Sequence, residues 1–272
     1  MYQEQPTRKP ITLTTLAKMK RDREKFAVLT AYDASFAALL ETAGVEVVLV
    51  GDSLGMVVQG QRTTVPVTMD EMVYHTRNVA RGLQSALLMT DMPFASYATV
   101  EQGVCNAARL MREGGAHMVK LEGGGWLADT IRALSRNGIP VCAHLGLLPQ
   151  SVHKLGGYKV QGRDEDAARR MIDEALVLQE AGADLALVEC IPTELAARLT
   201  EALTIPLIGI GAGPQCDAQV LVSYDMLNIT FGRRPRFSKN FLAGHDSLQA
   251  AVAAYVAAVK DGSFPGPEHC LA

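Results

Sequence analysis

The chain has 272 residues, 48% of them hydrophobic and 20% charged, with a formal net charge of -3. That length suits one large α/β domain or two small ones and supplies ample core. Scattered charges of both signs argue against a nucleic-acid or anionic-membrane surface and point to a small-molecule partner.

The longest apolar runs are strand-length and the start, Met1 to Pro10, is polar, so neither a membrane span nor a signal peptide is expected. A cytoplasmic protein follows as the default. Cys105, Cys142, Cys190, Cys216 and Cys270 are far apart and form no Cys-x-x-Cys pair. They read as small buried hydrophobes rather than a disulfide framework or a zinc site.

In chain order, Thr14 to Lys25 predicts a short basic helix capping the bottom of the domain, followed by a strand from Phe26 to Tyr32. Asp33 stands as N-cap of a helix with Phe36, Leu39, Leu40 and Ala43 at i, i+3, i+4, i+7, closed by Gly44. Val47 to Val50 is a strand buried on both faces that stops at Gly51-Asp52-Ser53. After a long connection from Met56 to Val67, Thr68-Met69-Asp70-Glu71 spells a capping box for the next helix, and Thr99-Val100-Glu101-Gln102 spells another.

Further strands reach Asp91, then Lys120 and Glu122, then His144, with helices between them that end at Gly114-Gly115 and Gly138. Leu147 to Arg163, with Gly156-Gly157 and Gly162, is too long for a tight turn and reads as a lid. A helix from Asp164 to Gly182, a strand ending at Glu189, a helix from Pro192 and a strand from Pro206 to Ile210 complete seven units. Val220 to Ile229 reads as strand eight, although the link from Gly213 is shorter than a parallel crossover normally needs. A last amphipathic helix starts at Asp246 and the tail from Gly262 is rich in Gly and Pro.

Repeated β/α units at this length favour one (β/α)8 barrel over residues 1–272, because carboxylates on strands two, three, four and six must converge. Asp52, Asp91 and Glu122 are oxygen donors suited to a hard cation such as Mg²⁺; any one of them could instead cap a turn. Lys120 shares a strand face with Glu122. It would hold a substrate carboxylate, or else pair with one of the acids. Glu189 ends an apolar strand, where burial would raise its pKa towards that of a general base; a pairing with Lys120 or Arg163 is the plainer alternative. His144 could donate to a carboxylate or carbonyl, or be a satisfied core histidine.

Gly209-Ile210-Gly211-Ala212-Gly213 lets a ligand approach the backbone, but Pro214 breaks the dinucleotide fingerprint. Gly51-Asp52-Ser53-Leu54-Gly55 also matches Gly-x-Ser-x-Gly and a Gly-Asp-Ser-Leu esterase signature. A nucleophile elbow enters a helix at once, which Met56 to Gly60 does not suggest, and none of the six histidines follows an Asp by three residues.

Taken together, Val50 to Gly55, Asp91 to Phe94, Met118 to Gly123, His144 to Leu147, Gly156 to Arg163, Glu189 to Pro192 and Ile208 to Gly213 resemble the ketopantoate hydroxymethyltransferase family, in that family's order and over almost the whole chain. The resemblance implies a (β/α)8 barrel that uses Mg²⁺ and 5,10-methylenetetrahydrofolate to add a hydroxymethyl group to 3-methyl-2-oxobutanoate (2-oxoisovalerate), giving ketopantoate, the first step towards pantothenate. It implies metal ligands at Asp52, Asp91 and Glu122, oxo-acid contacts from Asp52, Ser53, Asp91, Lys120 and His144, and a proton acceptor at Glu189. It also implies a homo-oligomer, typically a decamer. A Mg²⁺-dependent 2-oxo-acid lyase or mutase on a related barrel and a non-catalytic 2-oxo-acid-binding protein are the alternatives.

Departures from the family pattern gather near strand eight. Ala218, Tyr224 and Asn228 replace the usual Gly, His and Gly, and Leu155 replaces an aromatic before Gly156. These positions are expected to bear on folate affinity and rate. The run Arg233, Arg234, Arg236, Lys239 reads as a solvated face, with folate glutamates as the alternative partner.

Overall fold

In the computed structural model, which describes residues 8–232 and 234–271, the predicted alternation closes into a parallel barrel whose strand order follows the chain and returns from the eighth strand to the first. The strands are β1 (Phe26–Thr30), β2 (Val47–Val50), β3 (Leu87–Asp91), β4 (Met118–Glu122), β5 (Val141–Gly146), β6 (Leu185–Glu189), β7 (Leu207–Ile210) and β8 (Ala218–Leu221). Arg233 of the basic run lies outside the described residues, as does the start of the chain up to Thr7.

Strand alternation sorts the core into two layers. Phe26, Val28, Val47, Leu49, Leu87, Met89, Met118, Cys142, Leu185, Leu187, Ile208 and Val220 fill the barrel interior. Their neighbours, such as Leu29, Val48, Leu88, Val119 and Val188, face outward under the helices. Burying each large side chain of this kind contributes roughly 1.5–3 kcal/mol. The same period of two carries the interior face upward from Leu87 and Met89 to Asp91, from Met118 to Lys120 and Glu122, from Cys142 to His144, and from Leu185 and Leu187 to Glu189. The barrel is therefore apolar below and charged at its mouth.

Helix α1 (Leu13–Asp22) is the expected cap. Thr12 and Thr15 bond reciprocally at its start, Leu16 is fully buried against the interior layer, and Lys20 pairs with Asp217 at 2.7 Å. Helix α2 (Ala34–Thr42) is capped by Asp33, which accepts from the Phe36 N–H. A one-turn helix, α3 (Leu54–Val57), follows β2 directly, where a loop was expected. The capping box of α4 (Met69–Ala80) is complete at Thr68 and Glu71. At α5 (Val100–Arg109) only Thr99 caps, accepting from the Gln102 N–H, so the second box is half formed.

Helix α6 (Ala128–Arg136) buries Ile131 and Leu134. The expected lid is partly helical, with a 3-10 turn at Pro149–Ser151 and α7 (Val152–Leu155). Helices α8 (Glu165–Glu180) and α9 (Thr193–Ala202) flank β6. Strand eight differs from the sequence reading: it begins at Ala218, and the apolar stretch beyond Leu221 forms α10 (Ser223–Met226).

The short link to β8 has a physical account. Residues 211–217 double back without a helix, and a Cβ on Gly209 would sit 2.7 Å from Cys216 Sγ, so the bare glycine makes room for the return. Lys25 Nζ donates to the carbonyls of Pro214 and Cys216, holding the return at the barrel floor. Helix α11 (Leu248–Lys260) covers the closing seam, its buried Tyr255 hydroxyl donating to the carbonyls of Val28 and Gln219. Cys142, Cys190 and Cys216 are buried as expected, whereas Cys105 is exposed and Cys270 half-buried; all five are free thiols.

Candidate active site

The top interior rung gathers Asp91, Lys120, Glu122, His144 and Glu189, and Asp52 joins them from the turn after β2. Asp91 Oδ2 accepts from the Asp52 backbone N–H at 3.0 Å. Lys120 Nζ lies 3.0 Å from Asp91 Oδ1 and 3.2 Å from His144 Nδ1. His144 Nδ1 is 3.7 Å from Glu122 Oε1, and Nε2 is 3.4 Å from Glu189 Oε2. Six of the seven residues singled out in the sequence thus form one connected cluster.

Ser53 is the exception. Its hydroxyl pairs with the Tyr32 hydroxyl at 3.0 Å, and a Cβ on Gly51 would meet it at 2.7 Å. Although α3 does supply the helix an elbow needs, no histidine hydrogen-bonds Ser53 among the described residues, so the hydrolase arrangement is absent there.

Burial and crowding set the electrostatics. Asp52 is pushed up to about 7, first by burial and then by the Asp91 charge, with Lys120 opposing. Burial, then Asp52, raises Glu122 well above the usual carboxylate range. Burial raises Glu189 to about 8. Burial pulls Lys120 down, but Asp91, Glu122 and Asp52 outweigh it and hold the ammonium charged. His144 falls well below its usual value through burial and the adjacent Lys120, so the ring is neutral. An ammonium only donates, so Nδ1 accepts from Lys120 and the ring proton sits on Nε2, facing Glu189.

The cluster holds more acid than base, and Asp91 Oδ1 is a buried oxygen with no hydrogen-bond donor, its lysine neighbour standing close but misaligned. A crowded set of hard oxygens with an unfilled acceptor fits a divalent cation such as Mg²⁺. Among the described residues no three His, Cys, Asp or Glu side chains come together as a ready-made cage.

Sequence reasoning missed Gln150. It lies in the expected lid, yet it is buried and ties that segment to the acids. Its backbone N–H donates to Glu122 Oε2 at 3.0 Å, and its amide donates to Asp52 Oδ2 and the Met92 carbonyl, each at 2.9 Å. The Tyr97 hydroxyl donates to Gln150 Oε1 at 2.7 Å. The available signal was one amide in the apolar run Leu147-Leu148-Pro149 just past a strand that ends at the mouth. The outer lid reaches back as well, with the Tyr158 hydroxyl donating to Met56 Sδ at 3.5 Å.

The departures find their places too. Asn228 has φ +58, a left-handed conformation that Asn tolerates where Gly is usual. Tyr224 stacks on Phe36 and meets Tyr32 edge-on at 5.7 Å between ring centres. It is thus two side chains from Ser53. Ala218 is buried at the start of β8, opposite Phe26 and Ile208. Leu155 ends α7, ahead of left-handed Gly156. Of the basic run, Arg236 donates to the Glu268 carbonyl and Lys239 lies over the Phe241 ring. No helix among the described residues is long and apolar enough to cross a membrane.

Among solved structures, the chain resembles a putative phosphonomutase from Burkholderia cenocepacia, with TM-score 0.62 and 17% identity over 80% of this chain and 95% of that one. It also resembles a phosphonopyruvate hydrolase, with TM-score 0.60 and 14% identity over 77% and 79%. These likenesses concern the barrel alone. A protein of Nitrosococcus oceani named 3-methyl-2-oxobutanoate hydroxymethyltransferase is 63% identical over 94% of this chain and 97% of its own length. One of the same name from Alkalilimnicola ehrlichii is 60% identical over 99% and 98%. The model of the family described as ketopantoate hydroxymethyltransferase matches residues 10–267. With its charged barrel mouth and these full-length relatives, the chain belongs to the ketopantoate hydroxymethyltransferase family.

Proposed function

We propose that the chain transfers a hydroxymethyl group from 5,10-methylenetetrahydrofolate to 3-methyl-2-oxobutanoate, giving ketopantoate for pantothenate synthesis, with Mg²⁺ held by Asp52 and Asp91 and, through water, by Glu122. We further propose that it works as one barrel domain, in the cytoplasm, within a homo-oligomer. The observation that carries the chemical reading is the position of the largely buried Glu189 carboxyl, 3.4 Å from His144 Nε2 across a mouth crowded with acids, where burial raises its pKa.

A proton alpha to a ketone is a weak acid, so its removal needs a strong base and a place for the resulting negative charge. Glu189, when ionised, takes the C3 proton; its high pKa makes it a stronger base than an exposed carboxylate. Lys120 supplies a positive charge for the developing oxyanion, and the His144 Nε2–H, buried without a hydrogen-bond partner and 3.4 Å from Glu189, is a donor free to serve the same negative charge. Asp91 and the Asp52 N–H lock the turn after β2, while Gln150 fixes the Asp52 and Glu122 carboxylates from the lid side. When bound, Mg²⁺ supplies Lewis-acid stabilisation of negative charge and offsets the carboxylate repulsion. The proton that Glu189 has taken passes to the folate N10 as the N10–methylene bond opens to the N5 iminium, and C3 attacks that methylene carbon. One water then replaces N5 on it, giving the hydroxymethyl group and tetrahydrofolate, while the segment 147–163 limits further entry of solvent.

The test is loss of the C3 proton of 2-oxoisovalerate in D₂O, followed by NMR with and without Mg²⁺, and then addition of methylenetetrahydrofolate. Metal-dependent exchange with ketopantoate formed only after folate addition supports the reading. Exchange that folate never converts to product would favour a lyase or mutase of related chemistry, and no exchange would favour a binding protein.

A further inference from the structure

On the rim beside the mouth, between the ends of β4 and β5 and the start of α8, lies a cavity of about 220 Å³ that the steps above leave unused. Gly123, Gly124, Gly146 and Gly162 present bare backbone to it, and Arg170 and Glu174 reach it from α8. A Cβ on any of the four would come within 3.0 Å of another atom. Gly146 has φ +89, and a Cβ there would sit 2.4 Å from the Glu189 carbonyl oxygen. A Cβ on Gly124 would sit 2.5 Å from Glu174 Oε1, so the missing side chain is what lets that carboxylate lie over the turn after β4.

Arg170 and Glu174 stand four residues apart on α8, the spacing of a helical ion pair. Neither makes an ion pair or hydrogen bond among the described residues. An unpaired carboxylate and an unpaired guanidinium therefore line one small cleft. Trp126, the only tryptophan in the chain, is 66% exposed beside it. Its ring packs on Gly123, where a Cβ would meet it at 2.7 Å.

We propose that this cavity seats the pteridine end of the reduced folate, an inference that rests on the folate-donor reading above. Clefts that bury a whole drug-sized ligand run roughly 300–1,000 Å³, so a smaller one suits a single flat bicycle with the rest of the ligand outside. The 2-amino-4-oxo edge of a pteridine offers two parallel N–H donors, which match the two oxygens of a carboxylate. Glu174 supplies that acceptor pair and Arg170 a donor for the 4-oxo oxygen. Glycine backbone lets the ring lie flat against the wall, and the exposed Trp126 face gives the p-aminobenzoyl ring a surface to stack on. The position is apt for transfer: Gly123 directly follows Glu122, and Gly146 pairs in register with Glu189.

The experiment titrates tetrahydrofolate, which carries no one-carbon unit and so cannot react, into the full chain with Mg²⁺ and 2-oxoisovalerate. Trp126 fluorescence and binding heat are followed together. Saturable quenching is expected, with Kd raised at least tenfold by Glu174→Gln and also raised by Gly124→Ala, whose methyl displaces the carboxylate. Glu174 is exposed and Gln is as good a helix former, so that variant keeps the fold. If both variants bind as the wild type does and the fluorescence stays flat while heat is released, the cavity assignment is overturned and the folate reading stands. If the wild type releases no saturable heat and shows no quenching, both fall.

Discussion

Glu189→Gln offers a test in which stability and activity should move in opposite directions. Glu189 has its pKa raised from 4.5 to about 8 by burial. A carboxyl raised in this way stabilises the fold fully below 4.5 and loses that contribution as pH climbs through about 8. At about 1.4 kcal/mol per tenfold change in proton affinity, ionising it costs the fold about 3 kcal/mol between pH 5.5 and 8.5. The side chain keeps 14% of its surface in solvent, so screening brings the expected range to about 1.5–3 kcal/mol. Glutamine keeps the shape without the charge, and its carbonyl can accept from His144 Nε2–H. Thermal unfolding in EDTA across that pH range should therefore show the variant gaining roughly 3–10 °C on the wild type at the alkaline end. In D₂O the same variant should lose C3 exchange of 2-oxoisovalerate while still binding it. Parallel pH slopes for the two proteins would refute the burial argument, and unchanged exchange would remove Glu189 as the base.

Gln150→Leu deletes the amide bonds to Asp52 and Met92 and should weaken Mg²⁺ binding by about 10–100-fold, measured by calorimetric titration; unchanged affinity would make Gln150 a bystander. Added Mg²⁺ should raise Tm more at pH 8 than at pH 5.5. Asp52, raised to about 7, is protonated at the lower pH and destabilises the metal-free fold only as it ionises; a Tm gain independent of pH would contradict this. Gly209→Ala should cost about 1–3 kcal/mol by overpacking against Cys216, seen as a lower denaturant midpoint; a neutral effect would mean the return after β7 has slack.

Period-two alternation made the site readable before the fold was known. It placed Lys120 and Glu122 on one face, and it brought Asp91, His144 and Glu189 to the same end of their strands. Glycine and capping signals found most helices for equally local reasons, Asp33 and Thr68 being the cleanest. What escaped depended on contacts distant in the chain. Gln150 looks like a lid residue until its amide is seen reaching Asp52, and Tyr32 and Tyr97 reach the site through hydroxyls at the far end of rings that otherwise pack in the core. Strand eight was misplaced because Gln219 makes its start look polar, although that amide is buried and donates to the Gly213 carbonyl. The apolar residues Met226 and Leu227 that imitated a longer strand belong to α10 and the residue after it.

Because the strands follow one another around the barrel in chain order, distance along the sequence becomes angle around the mouth. Every acid, the lysine and the histidine of the cluster fall between Asp52 and Glu189, on one contiguous arc from β2 to β6. The remaining sector, β7, β8 and β1, closes the ring, and among the described residues the Tyr32 hydroxyl just past β1 bonds Ser53 beside the cluster. Changes beyond β6 thus bear on ring closure rather than on the acids, lysine and histidine of the cluster. Ala218, Tyr224 and Asn228 all stand in the sector that closes the ring, on β8, on α10 and just beyond it.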